Sequence, residues 1–183
     1  MNWTIPGTTL VEPRASADQT EGMFHSMFLA GGMVLSQVSS ITGLESYTIQ
    51  NWVKRGFLAP PKNKRYDLEQ VCRIITINML KGALSLEKIC SLMQYINGDL
   101  TDESDDIIDD AVLYFMFVKL AARARHIGGN QAWDDALLEA TASYTEPYPG
   151  ARDRVIQVLR VMLMAYISSR FKAQVDEMVD SLK

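Results

Sequence analysis

Gly43, Gly56 and the Pro60–Pro61 pair stand so close together that residues 33 to 66 have room only for short helices and a turn. Ahead of Gly43, the stretch "VLSQVSSITG" repeats Leu35, Val38 and Ile41 at helical spacing, and a glycine in the left-handed region closes such a helix. Ser46 is a good N-cap for a second helix, expected to run to Arg55 before Gly56 stops it. Two short helices about one glycine turn form a helix-turn-helix candidate. The prolines then exclude helix, a basic tip follows, and Tyr66 suits a short strand returning to the core.

The rest of the chain is also punctuated as helix. Residues 1 to about 20 read as an irregular arm, and "EGMFHSMFLA" as a short helix before Gly31 and Gly32. Asp67 caps "LEQVCRIITINMLK", Gly82 ends it, and Ser85 starts a helix that Asn97 and Gly98 close. In "DLTDESDDIIDDAV" the acids suit a helix start, and that helix is expected to reach Arg125 ahead of Gly128 and Gly129. "QAWDDALLEATASY" predicts a shorter helix, "TEPYPGARD" a loop, and residues 153–182 a long final helix. Its apolar middle suits the centre of a bundle or an oligomer interface, although no heptad seam stands out. The expected division is an arm over 1–32, a module over 33–98 and an acidic all-helical region over 99–183, for dimerisation or sensing.

Charge separates these parts. Residues 33–98 carry 8 Lys and Arg against 4 Asp and Glu, residues 99–183 carry 9 against 15, and residues 1–32 carry 1 against 3, which together give the net charge of -4. A locally basic module inside an acidic chain attracts polyanions at one face only. Cys72 and Cys90 are too far apart for a metal-binding pair and read as buried thiols of a reducing compartment. His25 and His126 are isolated, and no nucleophile and base stand at meaningful spacing, so neither an enzyme nor a metal or cofactor site is expected. The N-terminus lacks a basic n-region, and the apolar runs are shorter than the roughly 20 residues of a bilayer span. These readings predict a cytoplasmic protein without a membrane segment.

On a helical wheel over 46–55, Ile49, Trp52 and Val53 fall together and should pack inward. Tyr47, Asn51 and Lys54 take the opposite side, flanked by Thr48, Gln50 and Arg55. Amides and hydroxyls in such a row match base edges in a major groove, and the helix N-terminus offers amides to phosphate. The candidate DNA-binding set is therefore Ser46, Tyr47, Thr48, Gln50, Asn51, Lys54 and Arg55 on the helix, with Lys62, Asn63, Lys64 and Arg65 on a basic wing over 59–66.

The order of Thr42, Gly43, Gly56, Leu58, Pro60, Arg65, Tyr66, Asp67, Gly82, Ser85, Leu86 and Ile89 resembles the winged-helix domain of the MerR family of bacterial transcription regulators. With "IQNWVKRG", "INML", "YING" and "SDDII", the chain from about residue 30 to the C-terminal helices is more similar to an uncharacterised MerR-like family of small Gram-positive bacterial proteins. The resemblance implies a mainly α fold, a MerR-like winged helix-turn-helix module followed by an all-helical C-terminal bundle. It also implies a sequence-specific regulator of double-stranded DNA, homodimeric through its C-terminal helices and open to a small-molecule or protein effector. Three departures limit it: Gln50, Asn51 and Trp52 stand where an Arg and two aromatics are usual, the wing is short, and the long dimerising coiled coil is replaced. Promoter untwisting and metal sensing are not carried over. The alternative is a protein-interaction module on the same scaffold that no longer binds DNA.

Overall fold

The computed structural model describes residues 2–98, 100, 105–123 and 130–182, and is mainly helical. Chain order is β1 (Asn2–Thr4), β2 (Val11–Pro13), a 3-10 turn (Arg14–Gln19), α1 (Thr20–Met27), β3 (Met33–Val34), α2 (Leu35–Thr42), α3 (Ser46–Lys54), β4 (Arg65–Tyr66), α4 (Leu68–Leu80), α5 (Leu86–Asn97), α6 (Asp110–Arg123), α7 (Asn130–Ala140) and α8 (Ala151–Asp180). Strands β1 and β2 pair antiparallel with Trp3 opposite Glu12, and β3 pairs with β4 with Met33 opposite Tyr66.

Helix α4 is the axis of the fold. Its consecutive residues Val71 to Ile77 are all buried, a pattern for a helix enclosed on every side. Each fully buried aliphatic chain there, such as Ile74 or Ile75, contributes on the order of 1.5–3 kcal/mol. Its start is fixed by a reciprocal box, in which Gln70 N donates to Asp67 Oδ1 (2.9 Å) and Asp67 N donates to Gln70 Oε1 (3.1 Å). The buried apolar residues, from Trp3 to Ala165, form one continuous cluster.

Residues 2–19 are not an irregular arm. They form the β1–β2 hairpin and a turn, with Trp3 and Ile5 buried. The hairpin loop inserts between helices: Asn78 Nδ2 of α4 donates to Gly7 O and to Thr42 O (both 2.9 Å), and Tyr114 Oη of α6 donates to Pro6 O (2.9 Å). Gly7 has φ +75°, and a Cβ there would stand 2.4 Å from Ile75 O. Short strands anchored by tertiary contacts have too few residues to show an alternating pattern.

Smaller corrections follow from the local geometry. Glu45, not Ser46, holds the N-cap position of α3, and Ser46 Oγ instead pairs with Ser39 Oγ (3.0 Å) across the α2–α3 turn. Helix α6 begins only at Asp110, because Asn97 Nδ2 donates to Ile108 O (2.8 Å) and Ile107 N to Ile96 O (3.2 Å), docking the preceding segment on α5 in a non-helical form. The expected positions 99, 101–104, Arg125, His126, Gly128 and Gly129 lie outside the described residues. Helix α8 starts at Ala151 after a left-handed Gly150, and Cys90 is half-buried rather than buried.

Where α4 meets α6 lie two polar contacts, one largely buried and one half-buried. Arg73 pairs with Asp110 (2.9 Å), the two side chains being 9% and 13% exposed, and Ala111 N at the start of α6 donates to Glu69 Oε2 (2.8 Å). Burial pushes the Glu69 carboxyl from 4.5 up to about 7; the Ala111 N–H opposes this, and Asp109, Asp110 and Asp67 add to it. The folded chain therefore holds a proton that the unfolded chain has released, so stability falls as pH rises through the window from 4.5 to about 7.

Two outcomes are expected. Glu69→Gln keeps an acceptor for Ala111 N but cannot ionise, so its melting temperature at pH 8 exceeds that of the parent chain by about 2–4 °C, after discounting for partial exposure, and the difference vanishes at pH 4. Asn78→Ala strands two carbonyl acceptors and lowers stability by about 1–3 kcal/mol, read as a lower urea midpoint at unchanged slope.

Candidate nucleic-acid interface

Helices α2 and α3 meet at Gly43, whose φ of 69° supplies the left-handed closure, with Gly43 N donating to Ser39 O (2.8 Å). The Thr42 hydroxyl donates to Val38 O (2.7 Å) and accepts from Leu44 N (3.2 Å), so the turn is satisfied internally. Ile49 and Trp52 bury one face of α3 and Val53 is half-buried beside them, as the wheel predicts. Tyr47, Gln50, Asn51 and Lys54 are exposed on the other side, Tyr47 at 71%.

The segment after α3 returns through a two-residue turn. Asn63 and Lys64 have φ of 51° and 61°, and Arg65 N donates to Lys62 O (2.9 Å), the geometry of a type I′ hairpin. The proline stretch at its base is held by Gln70 Nε2, which donates to Ala59 O (3.2 Å) and Pro60 O (3.0 Å). Tyr66 is buried, and burial raises its phenol above the usual value. Lys62, Asn63 and Lys64 form an exposed tip.

These elements enclose one groove of about 510 Å³, lined by Val34, Leu35 and Ser36 at the start of α2, Gln50 and Val53 on α3, and Pro61, Lys64 and Tyr66 on the hairpin. Gln50 and Lys64 thus share one concave face. Ser36 escapes a reading of the sequence, since only α3 and the hairpin offer a polar or basic cluster; its position at the first turn of an amphipathic helix is the available signal.

Other candidates are committed elsewhere. Arg55 pairs with Glu87 (3.0 Å) and lies 4.5 Å over the Phe57 ring. Arg65 Nη1 donates to Gly32 O (2.6 Å), bracing the β3–β4 pair. Ser46 is half-buried, and Thr48 lines a different groove with Trp52, Asn78 and Ser169. The exposed Glu45 carboxylate sits at the N-terminus of α3, where it opposes a phosphate on those amides. Among the described residues the ion pairs do not involve Lys54, Lys62 or Lys64, no group of three or more potential metal ligands occurs, and no helix is long and apolar enough to cross a membrane.

The family profile described as Domain of unknown function (DUF1836) matches residues 19–117, a stretch that contains the groove. The chain belongs to that family. It is also similar to the Uncharacterized protein YkrK of Bacillus subtilis (strain 168), 31% identical over 84 residues, which are 44% of this chain and 36% of that protein. The chain therefore spans only about a third of this relative's length. No solved structure matches the chain.

The hairpin geometry makes a measurable prediction. A left-handed φ costs a non-glycine residue about 1 kcal/mol, so Lys64→Gly is more stable than Lys64→Ala by about 0.5–1 kcal/mol in chemical denaturation, although both remove the same cation.

Proposed function

We propose that residues 33–98 act as a winged helix-turn-helix that binds double-stranded DNA in sequence-specific transcription regulation. Helix α3 enters the major groove and the Lys62–Lys64 tip lies on the phosphate backbone. The observation that carries this reading is the shared concave face of Gln50 and Lys64, which sets a hydrogen-bonding helix row beside a cationic tip. Gln50 and Asn51 read base edges, as their amides can pair bidentately with adenine, and Lys54, Lys62 and Lys64 neutralise phosphates. Arg55 and Arg65 hold the platform together through Glu87 and Gly32 rather than contacting DNA first. The likeness of the sequence to MerR-like modules supports the same assignment.

Selection of bound sequences from a random duplex pool tests the proposal, followed by affinity measurements across salt concentration. Enriched sites and a steep salt dependence are expected. In Lys54→Ala/Lys62→Ala/Lys64→Ala, the slope of log affinity against log salt drops by about 0.9 for each phosphate that no longer has a lysine to neutralise it. Pools without enrichment would remove DNA as the ligand and leave a protein-interaction role for the same face, whereas a DNA affinity unchanged in the triple variant would remove this face as the DNA-binding surface.

A further inference from the structure

The groove between α2, α3 and the hairpin is not built for phosphate alone. Val34, Leu35, Val53 and Pro61 line it with aliphatic surface and are each half-buried, while the exposed Gln50 and Lys64 add an amide and a cation. A charged oxygen set against Val53 and Pro61 would lose water without receiving a hydrogen bond, so the aliphatic part of the groove gains nothing from a phosphate. It gains as little from guanine, adenine or cytosine, whose major-groove edges present only donors and acceptors. Thymine alone carries an apolar group there, its C5-methyl.

We propose that this groove is a thymine-specific subsite, which seats the C5-methyl of a thymine in double-stranded DNA beside an adenine paired by Gln50. The inference rests on the DNA-binding reading of the same face and adds to it which base is read there. The methyl lies on the side of the base edge nearest its own strand's backbone. It therefore falls between the base edges that α3 meets and the phosphates that the hairpin tip meets, as the groove falls between α3 and the hairpin. Spacing agrees: Gln50 and Val53 stand three residues apart on α3, a rise of about 4.5 Å, against roughly 3.4 Å between stacked base pairs. The two side chains thus meet the same or adjacent base pairs. Charge selects a nucleotide over an apolar protein side chain, which would fill the aliphatic lining but leave Gln50 and Lys64 unused. A thymidine and its neighbour engage all three, with methyl on Val53 and Pro61, a base edge on the Gln50 amide, and phosphate on Lys64, which takes no part in the ion pairs among the described residues.

The test uses the full chain and a duplex recovered by selection, in which each thymine in turn is replaced by deoxyuridine, a base that pairs identically but lacks the methyl. At one position the replacement is expected to weaken binding about fourfold, the effect of one buried methyl-sized group. Val53→Thr keeps the shape of the side chain but puts a hydroxyl in the groove, so the thymine and deoxyuridine duplexes then bind alike at that position. Pro61→Ala, outside the helices, reduces the same ratio. Lys64→Ala weakens both duplexes equally and preserves the ratio, since it removes a phosphate contact and not the methyl seat. Melting temperatures of the variants separate a lost contact from a lost fold. A duplex indifferent to deoxyuridine at every thymine, or a penalty that Val53→Thr and Pro61→Ala both leave intact, would overturn the subsite while leaving DNA as the ligand. Recovery of no bound duplex would overturn the subsite and the DNA-binding reading together.

Discussion

The side-chain amide of Asn78 donates to Gly7 O in the N-terminal hairpin loop and to Thr42 O at the end of α2, and so ties three distant parts of the chain to one point on α4. Apolar burial around α4 is large but has no direction, and would tolerate sliding of the elements packed on it. A paired amide does not, because each carbonyl left without its donor at this part-buried contact costs more than the bond gains when made. Asn78 therefore sets where the α2–α3 turn sits, and with it the direction in which α3 projects its polar row.

The hairpin is registered to the same helix by another amide. Gln70 closes the first turn of α4 and also holds Ala59 O and Pro60 O, so the loop containing the prolines is pinned a few ångströms from the helix start. Arg65 and Arg55 add outer braces at Gly32 and Glu87. Of the cations clustered on α3 and the hairpin, these two arginines brace the platform, whereas Lys54, Lys62 and Lys64 are exposed and take no part in the ion pairs among the described residues. Local excess of positive charge in the sequence overstates the charge free at the surface, because Arg55 is offset by the Glu87 carboxylate, while Arg65 keeps its charge but commits a donor to the Gly32 carbonyl.

How much was legible in the sequence follows from the range of the forces. Helices α2 to α5 were readable because their caps and stops, Gly43, Gly56, Asp67 and Ser85, act over one turn. The inward face of α3 was readable because Ile49, Trp52 and Val53 follow the helical period. The β1–β2 hairpin was not, since it is held by Asn78, Tyr114 and Ile41, all far away in the chain. The non-helical docking of residues 107 and 108 on α5 has the same cause. Within the site, types and exposure of side chains were legible, but the partners of Arg55 and Arg65 lie 32 and 33 positions away and left no local mark.

Adjacent residues at the start of α4 serve opposite ends of the molecule. Gln70 reaches the base of the hairpin, while Glu69 receives Ala111 N and Arg73, one turn further on, holds Asp110 at the start of α6. Helix α6 in turn packs on α8 through buried rings and aliphatic chains, with Phe117 edge-on to Tyr166 at 5.6 Å. Helix α8 also packs directly on α4 and α5, so the hairpin and α8 are placed relative to each other through α4 and the helices around it. Helices joined by directional contacts of this kind hold the groove in place through the fold rather than through a linker.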